Sequence, residues 1–303
     1  MRNSSRIEMP TVVKADPAIL AKYQALPYPA LAPMQIGENT VLHMRTDRAG
    51  LMALLARDGD RSIGVGSYEG SAWYGVSSVC EALTLAENGW REPVEAIISQ
   101  ANQMIARQTR SLIPVLTYTD TPGEPDIAAY LEGEDECFLI TSEGMYDTPA
   151  AGRAVRIVFA PVVSAGISIG AIIKRGALVA SVAHTLEQAG VSVAIEYRSA
   201  LAPYSRGNVH IEVILKEFGE PLDIHNLAFW LVHPAAGRVF MFSACTDGYY
   251  FSRHEFGIGW STVEWPNEPN VAFLPRHTTF EYSGNVEEWA TAALKIAGIE
   301  IGG

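Results

Sequence analysis

Residues 151–303 alternate strand-like and helix-like segments, and this alternation constrains the fold more than any other feature of the chain. An apolar run at 155–160 has the length of a strand. The next segment, 169–188, carries apolar residues at helical spacing, with Ser168 placed to cap its start and Gly190 to end it. Further strands are predicted at 191–197, 208–218 and 238–244, and further helices at 222–234 and 285–298. This order is typical of a mostly parallel, three-layer α/β sheet.

The first 150 residues follow a different pattern, and the chain is divided accordingly. Residues 1–36 contain five prolines and are predicted to form an arm with one short helix at 16–25. Residues 37–150 are predicted to be a mainly helical region. This region is expected to pack against an α/β domain formed by residues 151–303.

Within the helical region, one helix has clear signals at both ends. Ser78 and Glu81 have capping-box spacing, and Gly89 is placed to end the helix. A second helix is predicted at 92–109. The sequence at 111–119 predicts a strand, which Pro114 restricts to the edge of a sheet because proline has no N–H to donate.

Charge and cysteine content exclude several classes of protein. The net charge is −12, which repels the phosphate backbone and disfavours broad electrostatic binding of nucleic acid. The three cysteines are far apart and fit neither a disulfide framework nor a zinc knuckle. The N-terminal sequence has no apolar core of signal-peptide length, and no later run is expected to cross a bilayer. These features predict a cytoplasmic protein with no membrane partner.

The predicted strand at 238–244 leads into Thr246, Asp247 and Gly248, which places a carboxylate at the rim of the sheet. The order of strand, long helix, two strands, helix and strand ending in Thr-Asp-Gly resembles that of von Willebrand factor A domains. Residues 175–197 resemble these domains in the long helix and the strand that follows it. The resemblance implies a degenerate A-domain-like fold for the C-terminal half.

The metal site of that family begins with Asp-x-Ser-x-Ser after the first strand. Ser164 and Ser168 stand in the matching loop of this chain, but the leading Asp is absent. Asp247 matches a later acidic ligand. A single carboxylate with hydroxyl groups is a poor Mg²⁺ site, because this ion prefers several charged oxygens. The expectation is that the scaffold is kept without the ion, that Asp247 bonds within a turn, and that no cofactor is bound.

Four blocks of sequence resemble a bacteriophage protein family with no established activity. These blocks are Trp73-Tyr74-Gly75, EALTLAENGW at 81–90, DIAAYLEGEDEC at 126–137 and KRGALVASVAHTLEQAG at 174–190. The resemblance implies a phage or prophage origin, and a location in the host cytoplasm or in the virion. It carries over no catalytic residue.

Aromatic and basic residues cluster after the Thr-Asp-Gly turn. Tyrosine, tryptophan and arginine supply much of the binding energy at protein interfaces, so this cluster is the predicted partner-binding site. Its members are Tyr249, Tyr250, Arg253, His254 and Trp260.

These observations favour a phage accessory or structural protein that binds another phage or host protein, or itself, without catalysis. One alternative is single-stranded nucleic-acid binding, because the same aromatic residues suit base stacking, although the net charge disfavours it. The other is a metal-dependent hydrolase centred on Asp247 and His254.

Overall fold

The computed structural model describes fifteen stretches of the chain, and the account below is confined to them. They are residues 14–36, 38–60, 62–63, 74–90, 99, 102, 116–119, 124–125, 138–141, 153–162, 167–203, 208–245, 258–260, 271–274 and 285–297, with the partly described helices and strands bounded as given below.

The helices precede, follow and separate the strands. They are α1 Pro17–Gln24, α2 Arg48–Ala56, α3 Val79–Asn88, α4 Ile169–Gln188, α5 Ile224–Val232, a π-helical segment Ala236–Met241 that continues into α6 Phe242–Cys245, and α7 Asn285–Ile296. The strands are β1 Ala32–Ile36, β2 Asn39–Asp47, β3 Leu116–Thr119, β4 Glu124–Pro125, β5 Phe138–Thr141, β6 Ala154–Phe159, β7 Ser192–Pro203, β8 Val209–Lys216, β9 Ile258–Trp260 and β10 Val271–Leu274.

The main sheet is mixed, so the prediction of a mostly parallel sheet was wrong, while the α/β class is confirmed. Its order is β1-β2-β8-β7-β6-β10, with β9 paired to β7. The pairs β2–β8, β6–β7 and β6–β10 are parallel, and β1–β2, β7–β8 and β7–β9 are antiparallel. A parallel connection needs about a dozen residues. Only residues 204–208 separate β7 from β8, and so these two strands form a hairpin.

The N-terminal half contributes strands as well as helices. The hairpin of β1 and β2 extends the main sheet beside β8, a contribution that the prediction of a mainly helical region missed. A second, antiparallel sheet has the order β3-β5-β4. Within the described strands β3 pairs with β5 alone, which confirms the predicted edge position of this strand.

Local capping signals placed three helices correctly. The side chains of Ser78, Ser168 and Asp223 accept from backbone N–H groups in the first turns of α3, α4 and α5, at 3.2, 3.2 and 3.1 Å. The capping box of α3 is altered, since Glu81 accepts from the N–H of Ser77 at 2.6 Å. The predicted short helix in the arm is also confirmed as α1.

The predicted strand at 238–244 was wrong, because these residues are helical. The π-helical segment is buried throughout, and it runs on into α6. A short segment that is buried on every side gives no periodicity to separate a buried helix from a buried strand. The strand that was expected to carry Asp247 to the rim of the sheet is therefore replaced by a helix end, and Asp247 lies outside the described residues.

The core lies between the sheet and the helices α4 and α5. These helices cross closely at Gly176, where an added Cβ would overlap the carbonyl oxygen of Leu231 and lie 2.8 Å from Val232 Cα. Aromatic rings fill the adjoining space, with Trp230 5.0 Å from Phe240 and 5.4 Å from Phe229 between centroids. Helix–helix packing therefore fixes α5, whose first turn helps to form the crevice described below.

Contrary to the sequence analysis, α4 is long and apolar enough to cross a bilayer by length and composition. About 61% of its apolar window is buried within the protein, which is typical of a core helix. Helix α5 and the helical segment after it pass the same test only as a pair bent by 63°.

Candidate functional site

Most of the residues predicted to form a site lie outside the described part of the chain. These are Ser164, Asp247, Tyr249, Tyr250, Arg253 and His254. Trp260 lies on β9 opposite Leu201, and its side chain is not among those described. Ser168 is described, and its hydroxyl caps α4. The structure therefore gives Ser168 a structural role and leaves the aromatic cluster as a prediction.

Among the side chains that the structure describes, no three of His, Cys, Asp and Glu converge closely enough to hold a metal ion. Cys80 is a free thiol in the buried face of α3. Burial, with a further contribution from Asp60, raises the pKa of this thiol above its usual value. A raised pKa keeps the thiol protonated and therefore weakly nucleophilic.

A network of buried charges crosses one face of the main sheet. Glu196 on β7 has a side chain that is only 1% exposed. Its carboxylate accepts from Arg156 on β6 at 2.7 Å and from Arg198 at 2.6 Å. Arg198 lies two residues along β7 and so points to the same face of the sheet. The two guanidinium groups compensate a carboxylate that burial alone would destabilise.

The network continues on β8 and β2. Arg198 is the register partner of Glu212 on β8, which accepts from Arg45 on β2 at 3.1 Å and lies 3.5 Å from His43 Nε2. His43 in turn occupies the register position beside His210. Acidic and basic side chains thus alternate across four neighbouring strands. Such cross-strand pairs fix the register of the sheet.

A crevice of about 480 Å³ opens at the edge of the main sheet, beyond the carboxyl ends of the parallel strands β2 and β8. In α/β sheets this edge is where ligands commonly bind. The crevice is lined by Tyr23, Asp47, Arg48, Ala49, Met52, Ala86, Glu87, Ile214, Leu215, Lys216, Glu217, Glu220, Asn226 and Trp230. Its walls therefore come from α1, α2, α3, α5, the ends of β2 and β8, and the turn after β8.

Local structure explains why these walls meet. β2 passes directly into α2, and Asp47 caps that helix by accepting from Gly50 N–H at 2.8 Å. The turn after β8 is closed by Glu220, which accepts from Glu217 N–H at 2.9 Å. Gly89 ends α3 with φ of 75°, and an added Cβ there would overlap the carbonyl oxygen of His225 on α5. The end of α3 and the start of α5 are thus in direct contact.

The carboxylate of Glu87 joins α1 to this crevice. Lys22 donates to Glu87 Oε1 at 2.6 Å, and the Tyr23 hydroxyl donates to Oε2. Burial opposes the ionisation of Glu87, but the hydrogen bonds from Lys22 and Tyr23 outweigh it and hold the pKa of the carboxyl below its usual value. Burial and the neighbouring Glu87 raise the pKa of Tyr23 well above its usual value. The pair is therefore a carboxylate bound to a neutral phenol.

The charges of the crevice sum to a negative value. Four carboxylates line it, from Asp47, Glu87, Glu217 and Glu220, against the cations Arg48 and Lys216. The ammonium group of Lys216 is 2.6 Å from the carbonyl oxygen of Val193 and 2.7 Å from Glu187 Oε1. This group is thus already engaged by residues outside the lining. Glu87 is likewise engaged, by Lys22. The remaining carboxylates, Asp47, Glu217 and Glu220, outnumber the cation Arg48, and so the crevice favours a positively charged ligand over an anion.

A comparison with models of protein families assigns the chain to one family. The model of the family described as a domain of unknown function, DUF7192, matches residues 39–282. The chain is a member of the DUF7192 family. The DUF7192 match begins at the first residue of β2 and includes α2, α3, β8 and α5, whereas α1 and β1 precede it. Comparisons with curated proteins and with solved structures return no match.

Sequence reasoning missed the crevice of this DUF7192 chain, although a signal was present. Asp47 directly follows β2, and Glu217 directly follows β8. Polar side chains that end two parallel neighbouring strands meet at one edge of a sheet. The strands lie about 160 positions apart in the chain, and their pairing is visible only in the tertiary structure.

Proposed function

We propose that this DUF7192 chain is a non-enzymatic binding module that holds a basic segment of a protein partner in the crevice. The observation that carries the proposal is the placement of four carboxylates around a space of about 480 Å³ at the carboxyl edge of β2 and β8. A space of this size accommodates one or two side chains of a partner.

The chemistry of the lining supports a lysine or arginine side chain as the occupant. Ala49, which is partly exposed, offers apolar surface to the methylene stem of such a side chain, while Glu217 and Glu220 offer carboxylates to its charged end. The existing contact between Lys22 and Glu87 shows an ammonium–carboxylate pair at the edge of the same site. An acidic lining repels phosphate, which argues against nucleic acid in this crevice.

The biological setting of the proposal rests on sequence resemblance. The likeness to a bacteriophage family supports an accessory or structural role, with a phage or host protein as the partner, in the host cytoplasm or in the virion. An A-domain-like origin of the C-terminal half stays part of this proposal. The alternatives of single-strand binding and of a hydrolase centre depend on residues 247–260, whose side chains are outside the described set.

The experiment is calorimetric titration of the full chain with a tetralysine peptide at low salt. The crevice variant carries Glu217→Gln and Glu220→Gln, and the matched control carries Glu38→Gln and Glu288→Gln, which remove the same charge from exposed positions elsewhere. We expect the crevice variant to bind about tenfold more weakly than wild type, because two charge contacts are lost. The control variant is expected to bind like wild type.

Equal weakening in both variants would show that tetralysine responds only to the overall charge of the protein, and the proposal would then be wrong. Tetraglutamate serves as a second probe. If it bound as well as tetralysine, the acidic lining would not be selecting the ligand.

A further inference from the structure

Exposed apolar side chains concentrate in the segment between α1 and the middle of β1. Five large apolar side chains are exposed among the described residues, and three of them are Leu26, Tyr28 and Met34, with exposed fractions of 38%, 46% and 37%. We call residues 26–34 the hinge segment. Three exposed apolar side chains within nine residues can add to a protein–protein contact. Within the chain, the Tyr28 ring centroid lies 5.1 Å from the Arg57 guanidinium.

The hinge segment runs into an open sheet edge. Among the described strands, β1 pairs with β2 alone, and four of its five residues are exposed. An edge strand presents backbone groups that another chain can pair with. The hinge segment therefore combines apolar side chains with available backbone hydrogen-bonding groups.

Helix α1 docks on the rest of the molecule through Ile19 and Leu20, which pack against the core, and through a few further contacts. Tyr23 is its buried residue, and Lys22 and Tyr23 both donate to Glu87. The backbone N–H of Asp16, which caps the helix, donates to Thr84 Oγ1 at 2.9 Å. Helix α1 also precedes the matched family domain, so its docking surface on α2 and α3 belongs to the DUF7192 domain whereas the helix does not.

The connection from α1 to β1 has no helix or strand, and most of its residues are exposed, although Leu31 packs against the core. Pro27 and Pro29 lie within residues 25–31, and proline-containing segments extend by about 3.1 Å per residue. Seven residues of this kind span roughly 20 Å, which is enough to reach a neighbouring molecule. Exchange of a terminal element between identical chains is a common route to dimers, because it repeats contacts that each chain already makes.

We infer that two copies of this chain exchange α1, so that α1 of each copy docks on α2 and α3 of the other. The hinge segments of the two copies then lie side by side and bury Leu26, Tyr28 and Met34. The contacts of Lys22 and Tyr23 with Glu87 are then made between the two copies, and the burial of Leu26, Tyr28 and Met34 adds to the stability of the dimer. The contact of Lys22 with Glu87 also joins opposite charges between two chains that each carry a net charge of −12.

The exchange has a consequence for the crevice, since Tyr23 in its wall then comes from the other copy. The inference itself stands on the hinge segment and on α1, and it does not depend on which ligand the crevice binds.

A charge-exchange experiment on the full chain tests the inference. Lys22→Glu and Glu87→Lys are made separately, and each places like charges at the α1 docking site. We expect wild type to have the mass of two chains by light scattering. The dimer dissociation constant of each variant should be about tenfold higher than that of wild type, because the twofold symmetry of the dimer repeats the lost contact. A 1:1 mixture of the two variants is expected to regain the wild-type dimer, because each exchanged contact then joins opposite charges.

The mixture of single variants separates exchange from docking within one chain, and the double variant Lys22→Glu with Glu87→Lys is the control that the reversed charge pair can form. If α1 docks on its own chain, this variant regains stability but the mixture of single variants does not. A wild-type mass of one chain, or a dimer that the mixture fails to restore, would overturn the inference. A variant with Leu26, Tyr28 and Met34 all changed to Ser tests the hinge segment, and a dimer of unchanged affinity would also contradict it.

Discussion

Arg198 Nε lies 2.6 Å from Glu196 Oε1, two residues back along the same strand, and both side chains are almost completely buried. Two oppositely charged groups that share one face of β7 are thus removed from water together. Arg156 completes the arrangement from β6. The stability of this sheet depends on keeping that charge balance, because a buried ion without its partner is strongly destabilising.

The Glu196→Gln variant should therefore lose about 3 kcal/mol of unfolding free energy, since Arg198 is left buried without its carboxylate. Urea denaturation at neutral pH measures this difference. Glu288→Gln, at an exposed position on α7, is the matched control and should change the unfolding free energy by less than about 0.5 kcal/mol. Similar values for the two variants would mean that the buried network contributes nothing beyond a surface charge.

Two glycines of α4 should respond in opposite directions to substitution by alanine. Gly176→Ala should lower the unfolding free energy by about 3 kcal/mol, because its Cβ overlaps the backbone of α5. Gly170→Ala meets no atom within 4 Å and should raise the unfolding free energy by about 0.5 kcal/mol, since alanine favours the helix. Thermal unfolding of the two variants tests both signs. A small effect at Gly176 would show that α4 and α5 do not cross closely.

The Ser168→Ala variant distinguishes a helix cap from a metal ligand. Loss of the cap should lower the unfolding free energy by about 1 kcal/mol, and Ser168→Asn should restore most of it because asparagine is an equally good cap. Melting temperatures are measured with and without Mg²⁺. We expect the same difference in both conditions, and a loss confined to the Mg²⁺ samples would revive the metal site.

His233 should make stability depend on pH. Burial lowers the pKa of this side chain to about 3 from 6.5. Its ring stacks on Phe229 at 5.1 Å, and its Nδ1 accepts from Ala235 N–H at 3.1 Å. The folded protein therefore keeps the ring neutral where the unfolded chain protonates it. The stabilisation is complete above about pH 6.5 and is lost as the pH falls towards 3, at about 1.4 kcal/mol per pH unit.

His233→Asn tests this dependence, because the asparagine oxygen can replace Nδ1 as an acceptor and does not titrate. Unfolding free energies are measured between pH 7 and pH 4. We expect a variant that is less stable at pH 7 but has a shallower decline with acid. Phe229→Leu weakens the same packing while keeping the histidine, so its decline should match wild type. Equal slopes in all three proteins would be evidence against a buried neutral histidine.

Much of the local structure followed from the sequence. The helices α3 and α4 were predicted with their capping residues Ser78 and Ser168, because a cap is a contact between residues three positions apart. Helix α5 was predicted at 222–234 without a named cap. The strands β6, β7 and β8 were predicted from apolar runs of strand length. The family match, from residue 39 to residue 282, adds membership of DUF7192 without adding an activity.

The candidate crevice could not be predicted in the same way. Its carboxylates Glu87 and Glu217 lie on elements separated by more than a hundred residues, and no sequence motif connects them. The predicted partner residues at 249–260 formed a visible cluster because they are neighbours in the chain. A local pattern therefore directed attention to that segment, whereas the crevice depends on strand pairing.

The sequence by itself determined where α1, α3, α4, α5 and α7 form, since backbone propensity, periodicity and caps act over a few residues. Only the tertiary structure decided that β2 lies parallel beside β8, that β7 and β8 form a hairpin, and that residues 236–245 are helical. Those outcomes depend on how buried surfaces fit against one another. A fully apolar run such as 239–242 satisfies burial as a strand or as a helix, so the local pattern alone does not decide between them.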